Sequence, residues 1–314
     1  TTEIYTLSLH DALPIYYTVV FDTTFKDCGI WQGDEKQSGA TEAKGDNIAA
    51  YISFDGTRPR TITMKTAISY VSLANAEQNM KTEIPGWDFQ AVRTAARADW
   101  NKTLGKVQVE GGTQDEKILF YTALYHALLT PNIFEDVNGQ YIGMDNKVYD
   151  VRRGHHIYST FSGWDTYRTQ AQLWGLLYPQ AAGDFCQTFL ETSRQTQYKG
   201  GGGLPLWSMF NDETQIMSGY PAAPFIASAY VFGARDFDVQ ALTAIMVDSG
   251  KQNRFWGRNN NITWSHLEDY KKYGYYPDDC GIAHAISQNV EYAVADFSIA
   301  QMCQAIGDDP NYHY

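Results

Sequence analysis

The chain is poor in the residues that announce the commonest site chemistries. Four cysteines (Cys28, Cys186, Cys280, Cys303) are scattered through 314 residues. None forms a C-x-x-C pair and no histidine falls at zinc-ligand spacing, so they read as buried small hydrophobes, with any disulfide unreadable from spacing. Charged residues make up only 19%, and no basic cluster is long enough to track a phosphate backbone. With a net charge of −12 and a pI near 4.9, this argues against a nucleic-acid partner. No apolar run approaches the roughly 20 residues of a membrane span. The G-x-S-x-G elbow, the G-x-x-x-x-G-K-[ST] loop and H-E-x-x-H are all missing. The Gly200–Gly203 run has no following lysine and no βαβ context, so it does not predict a phosphate cradle. An initiating methionine and a secretory signal pattern are also lacking.

What the chain has instead is aromatic surface. Aromatics reach 14%, with 22 Tyr and 8 Trp. Such amphipathic rings suit a wet cleft that stacks on apolar faces and hydrogen-bonds at its rim, although part of the excess belongs in a core. The length predicts about two domains. Residues 1–15 do not continue the strand pattern that starts at Tyr16 and resemble translated sequencing-adapter sequence, so they are set aside as non-native. From there Tyr17, Val19 and Phe21 alternate with Thr18, Val20 and Asp22. Residues 33–46 read as a loop. Ala50–Phe54 and Thr61–Val71 read as further strands. Residues 16–82 are thus expected to be the last part of a β-sandwich.

The pattern then becomes helical. Asp88 can cap a helix bearing Phe89, Val92 and Trp100, and Thr113 with Glu116 forms a capping box. Residues 132–158 form a long polar segment with a hairpin expected at Asn138-Gly139. Helical runs follow at Trp164–Leu177, Pro179–Gln195, Tyr220–Gly233, Asp238–Ser249 and Ser287–Ile306. Seven helices with unequal loops, and no short repeat, predict a partial (α/α)6 toroid over residues 83–314.

Three stretches could carry chemistry. The first is Trp164-Asp165-Thr166-Tyr167-Arg168. Trp164 can stack on a sugar ring, Asp165 can accept from two vicinal hydroxyls, and Arg168 can orient that carboxylate. Equally, Ser162 can simply cap a helix whose first turn holds Asp165. The second is Gly201 to Thr214, with Trp207, Phe210, Asn211, Asp212 and Glu213. Glycosidic cleavage needs a proton donor, and aromatic walls at Trp207 and Phe210 would favour a protonated Glu213. The third is Tyr273 to Asp279 followed by His284, Ser287, Gln288, Asn289 and Glu291. Its oxygens could serve a hard cation, but without EF-hand spacing solvated loop acids are the plainer reading.

Together these stretches resemble glycoside hydrolase family 92, bacterial calcium-dependent exo-acting α-mannosidases. The matching runs are Glu83–Phe89, Phe120–His126, Tyr158–Arg168, Leu204–Gly219 and Glu291-Tyr292-Ala293. The resemblance implies a β-sandwich followed by an (α/α)6 toroid, and inverting hydrolysis of terminal α-linked mannose, of the α-1,2 type. It also implies a Ca2+ cofactor, a mannose-containing glycan as partner, and a periplasmic or secreted location. Glu213 stands where the family has its general acid. Trp164, Asp165, Arg168, Trp207 and His284 would bind substrate, and Ser287, Asn289 and Glu291 would ligate the metal. Two departures stand out. His284 replaces a glutamate of the family's E-S-V-S-K-T-L-E-Y-A-like run, and Pro221 replaces a common histidine. The family's G-N-D-D-like base motif does not occur, so the chain reads as a fragment cut at both ends and inactive alone. The alternatives are a non-catalytic glycan-binding protein on the same scaffold, or another (α/α)-toroid glycosidase.

Overall fold

A computed structural model describes residues 6–7, 14–57, 61–196, 202–210, 212–214, 216–252, 255–256, 261–262, 264 and 266–312. Most of the segment set aside as non-native, and Gly201 and Asn211 of the second stretch, lie outside the described residues. The chain divides into two compact units, one running to Ala98 and including Asp136–Asn138, the other holding the rest.

The first unit contains two three-stranded antiparallel sheets. One pairs β1 (Thr6–Leu7) and β6 (Met64–Ser69) on either side of β2 (Ile15–Phe21). The other pairs β4 (Glu35–Ser38) and β5 (Ile48–Ser53) around β3 (Asp27–Gln32). The alternation around Tyr17 thus marks a strand, but its one buried residue is Thr18, not the apolar set opposite. β4 lies inside the stretch read as a loop. Its residues Glu-Lys-Gln-Ser are polar throughout, so no apolar period betrays them, and only the two-residue turn Gly33-Asp34 signals a hairpin.

Helix α1 (Leu73–Glu83) begins at Ser72, whose side chain accepts from the Asn75 N–H. Its inner face carries asparagines rather than leucines because it surrounds a carboxylate. Asp136 is 7% exposed and accepts from Ser69 Oγ at 2.6 Å, Asn75 Nδ2 at 2.8 Å and Asn79 Nδ2 at 2.7 Å. Asn79 Oδ1 in turn accepts from the Val137 N–H. This network ties residues 136–138 into the first unit.

Asp88 accepts from the Ala91 N–H at the start of α2 (Phe89–Leu104), a helix that begins in the first unit and ends in the second. The predicted capping box opens α3 (Gln114–His126), with Thr113 and Glu116 bonded reciprocally. The link read as strand-like over Leu104–Glu110 forms no strand. Strand β7 (Asn132–Ile133) follows. The hairpin expected at Asn138-Gly139 lies a few residues later, between β8 (Gln140–Ile142) and β9 (Val148–Asp150). There Asn146 takes the left-handed conformation the turn needs, with φ 63°. Strands β10 (Tyr158–Ser159) and β11 (Phe161–Ser162) then lead into a helical stretch that is two helices, not one. These are α4 (Gly163–Thr166) and α5 (Gln170–Leu177).

Next come α6 (Pro179–Thr196), strands β12 (Trp207–Met209) and β13 (Asp212–Glu213), α7 (Ala222–Phe232) and α8 (Val239–Lys251). Short strands β14 (Phe255–Trp256) and β15 (Asn261–Ile262) pair with each other. They precede α9 (Leu267–Tyr273), α10 (Ala285–Ile306) and α11 (Asp309–Tyr312). Helix α7 is apolar on nearly every side, the mark of a helix with neighbours all round, and it packs against α5, α6 and α10. The core centres on Phe185, whose ring lies 4.7 Å from Phe161, 4.9 Å from Phe189 and 4.7 Å from Phe225. Much of the tyrosine excess ends here and not in a wet cleft: Tyr158, Tyr167, Tyr220, Tyr276 and Tyr292 are buried core members.

Two outcomes are expected. Asp136→Ala leaves three buried side-chain donors without their acceptor, so chemical denaturation should show the first unit destabilised by about 3 kcal/mol or more. Glu116 is held below its ordinary value of 4.5 by the Thr113 N–H and then the Thr113 hydroxyl. Because the folded value is depressed, the box's stabilisation is complete above 4.5 and is lost as pH falls through the folded value. Thermal melts of the native chain and Glu116→Gln should therefore differ near neutrality and converge well below that value.

Candidate active site

Helix α4 is a single turn, opened by Ser162, whose side chain accepts from the Asp165 N–H. Gly163 follows because a Cβ there would sit 2.4 Å from the Leu206 carbonyl oxygen, and its own N–H donates to that carbonyl at 2.8 Å. The turn places Trp164, Tyr167 and Arg168 on one side, the i, i+3 and i+4 neighbours of a helical path. All three converge on one acceptor from more than a hundred residues away. Glu291 Oε1 accepts from Trp164 Nε1 at 3.0 Å and from Arg168 at 2.8 Å, and Glu291 Oε2 accepts from the Tyr167 hydroxyl at 2.8 Å. The Arg168 guanidinium also lies 4.0 Å from the Trp164 ring centroid and 4.8 Å from that of Tyr167.

The electrostatics are consistent with this arrangement. Burial first, then the hydrogen bond and charge of Glu291, push the Tyr167 hydroxyl up to about 12, so it keeps its proton and donates. The Arg168–Glu291 pair is partly exposed at the arginine, and its worth lies more in holding Trp164 than in bulk stability.

Trp164 and Glu291 border a cleft of about 620 Å³, lined also by Met217, Ser218, His284 and Ser287, among others. His284, Ser287, Gln288 and Glu291 share it because they lie at i, i+3, i+4 and i+7 at the start of α10. His284 is exposed, stands at the N-cap with φ 60°, and makes no capping bond. Gln288 Oε1 accepts from the Gly219 N–H. Gly219 has φ 88°, and a Cβ there would lie 2.5 Å from Glu291 Cβ, so only glycine lets the Met217–Gly219 loop close on α10.

The other expected residues fall elsewhere. Asn289, two residues from Ser287, faces the opposite side of α10. Its side chain accepts from the Tyr276 N–H at 2.6 Å and donates to the Tyr276 carbonyl at 3.0 Å. Asp165 is exposed, and Arg168 pairs with Glu291 rather than orienting it. Asp278 and Asp279 are solvated loop acids.

Glu213 sits in the next layer. β11 pairs with β12 and β12 with β13, so Ser162 lies opposite Trp207 and Glu213 opposite Ser208. Glu213 is 5% exposed and its carboxylate accepts from the Leu206 N–H at 2.8 Å and the Trp207 N–H at 3.1 Å. Neither Glu213 nor Trp207 is among the residues lining the cleft around Trp164. Phe210, expected as an aromatic wall beside Glu213, is 43% exposed. Sequence reading missed the roles of Tyr167, of Gln288, which it set among possible cation ligands, and of Gly219. The helical spacing of Tyr167 from Trp164 was the one signal for the first. Nothing local announces the other two.

Among the described residues no three His, Cys, Asp or Glu side chains gather as a metal cluster, and no helix is long and apolar enough to cross a membrane.

Comparison with known proteins identifies two matches along the chain. Residues 75–314 match the Glycosyl hydrolase family 92 catalytic domain, and residues 3–69 the Glycosyl hydrolase family 92 N-terminal domain. Among solved structures, the chain is similar to the family GH92 alpha-mannosidase BT3965 from Bacteroides thetaiotaomicron. Identity is 31% and the TM-score 0.83, over 96% of this chain and 39% of that one. That protein has also been solved in complex with mannoimidazole. The Family GH92 Inverting Mannosidase BT2199 from Bacteroides thetaiotaomicron VPI-5482 matches at 27% identity and TM-score 0.84, over 98% of this chain and 42% of that one. The chain thus spans about two fifths of the length of these structures. Curated proteins give no match.

Replacing Gly219 by alanine should displace Glu291 from its three donors. Calorimetry should register a loss of about 1–3 kcal/mol, and the Trp164 indole N–H should lose its hydrogen-bonded NMR shift.

Proposed function

Because the chain belongs to glycosyl hydrolase family 92, we propose that its parent enzyme removes terminal α-linked mannose, of the α-1,2 type, from glycans with inversion. The observation that carries this reading is the wall of the Trp164 cleft, where an indole, a carboxylate, an amide, a hydroxyl and an imidazole line one space. Such a wall suits a sugar, with apolar C–H groups on a ring face and hydroxyls on directional polar groups. One face of Trp164 is taken by Arg168, so a pyranose would stack on the other. His284 and Ser287 would meet its hydroxyls, and Asp165 and Trp207 would extend the site from α4 and β12.

Glu213 is the proposed general acid, protonating the leaving oxygen. The Leu206 and Trp207 N–H groups orient its carboxyl group through both oxygens. Inversion needs a second carboxylate roughly 6.5–9.5 Å away to activate water. The family's base motif has no counterpart in this sequence, so the 314-residue chain alone is expected to bind without turnover. A purely glycan-binding role is the second reading. It is favoured by the place of Glu213, which is held by two backbone N–H groups and does not line the Trp164 cleft.

Calcium would need hard oxygen donors with free lone pairs. The Glu291 carboxylate is engaged by three donors, one of them a cation, and the Asn289 amide is engaged by the Tyr276 backbone. Ser287 is left as one hydroxyl. This set does not fit the ion. By the same family resemblance, the parent enzyme would be periplasmic or secreted.

Titration calorimetry of this chain with methyl α-mannoside should show binding that Trp164→Ala abolishes and EDTA leaves unchanged. An affinity that falls with EDTA would mean that other ligands hold the ion. In the full-length enzyme, Glu213→Gln should slow hydrolysis of poor leaving groups far more than activated aryl mannosides. Equal loss on both would remove Glu213 from the acid role and favour the binding protein.

A further inference from the structure

The strands that lead to Trp164 and carry Glu213 are very short. β10, β11 and β13 have two residues each and β12 has three, too few for ladder bonds alone to hold their register. Something outside the ribbon must fix them, and it lies immediately upstream. Residues 151–157 have no regular structure, yet their polar groups are bound by carboxylates from three separate places. His155 Nδ1 faces Asp184 Oδ1 of α6 at 2.5 Å, while its Nε2 lies 3.5 Å from Asp236 Oδ2 in the α7–α8 turn. His156 Nδ1 faces Glu135 Oε1 at 2.5 Å. The same two acids also accept from the backbone: Asp184 from the His156 N–H at 3.3 Å and Glu135 from the Ile157 N–H at 3.0 Å. Asp184 is 2% exposed, so its bonds form away from water, where each is stronger.

We infer that His155 and His156, gripped by Asp184 and Glu135, are positioning residues that set the register of the β10–β11 ribbon and through it the placement of Trp164 and Glu213. The linkage is continuous. Glu135 lies two residues past the end of β7 in the β7–β10 pair, and between them the Phe134 N–H donates to the Ile157 carbonyl at 2.9 Å. The Tyr158 N–H donates to Thr188 Oγ1 of the same α6 that carries Asp184, and Ser159 Oγ donates to the Phe210 carbonyl beyond β12. β11 then pairs with β12, and Gly163 opens the turn of Trp164. The clamp borders its own cleft of about 570 Å³, apart from that of Trp164, and Arg152 bonded to Asp236, Arg235 and Asp238 also line it. His155 and His156 touch none of the proposed sugar-binding groups. They act through the strand.

This inference rests on the proposed reading only in calling the Trp164 cleft a sugar site, and its test uses no sugar. In the isotope-labelled full chain, the Trp164 indole N–H is assigned by its loss in Trp164→Phe. In the double variant His155→Ala/His156→Ala that resonance should shift or broaden. Amide exchange at Tyr158–Ser162 should rise about tenfold or more relative to α8. Glu135→Gln, which keeps an acceptor for Ile157, should stay closer to the native chain than Glu135→Ala. If the double variant does not fold, the single change His156→Gln, at a half-exposed side chain, reads the same two signals. An unchanged indole resonance and unchanged exchange, or equal loosening of α8 and the ribbon, would overturn the inference. Failure to bind mannoside would instead overturn the sugar reading and leave these readouts intact.

Discussion

The Glu291 carboxylate is the contact on which the site depends. It gathers an indole N–H, a phenol and a guanidinium from one short turn, and it does so from the first part of a helix far along the chain. Each partner alone is ordinary. Together they orient Trp164, cover one of its faces with Arg168 and leave the acid with no unshared oxygen, which turns an expected metal ligand into a scaffold for a stacking platform. Gly219 is the other half of the same constraint, because the loop approaches α10 too closely for any side chain.

Around that contact the second unit solves a problem of precision with little regular structure. The helices supply bulk: α7 is enclosed by α5, α6 and α10, and the Phe185 rings fill the space between. The polar groups, however, sit on strands of two or three residues, which have few ladder bonds of their own. Carboxylates take over the missing work. Asp184 and Glu135 hold the entry to the ribbon, and the backbone donors of Leu206 and Trp207 hold Glu213. In the first unit Asp136 does the same with three neutral side chains. Buried acids satisfied by several donors recur as the means of fixing irregular chain, since each can accept several hydrogen bonds at once.

The residues themselves declared the order of architecture, strands first and helices after, because period-two and helical apolar patterns and the capping residues Asp88 and Thr113 are local facts. The family could also be read, since its motifs are contiguous runs in a fixed order. Local reading failed where the signal was not local. Strand β4 is polar throughout. The break between α4 and α5 follows a one-turn helix tied to Glu291. How the tyrosine excess divides between cleft and core could not be read, and much of it went into the core. What only the tertiary structure decided was partnership: that Arg168 pairs with Glu291 and not Asp165, that Asn289 turns to the Tyr276 backbone, and that two histidines brace the strand before Trp164. Which groups meet across long stretches of chain is set by packing, and spacing in the sequence carries no record of it.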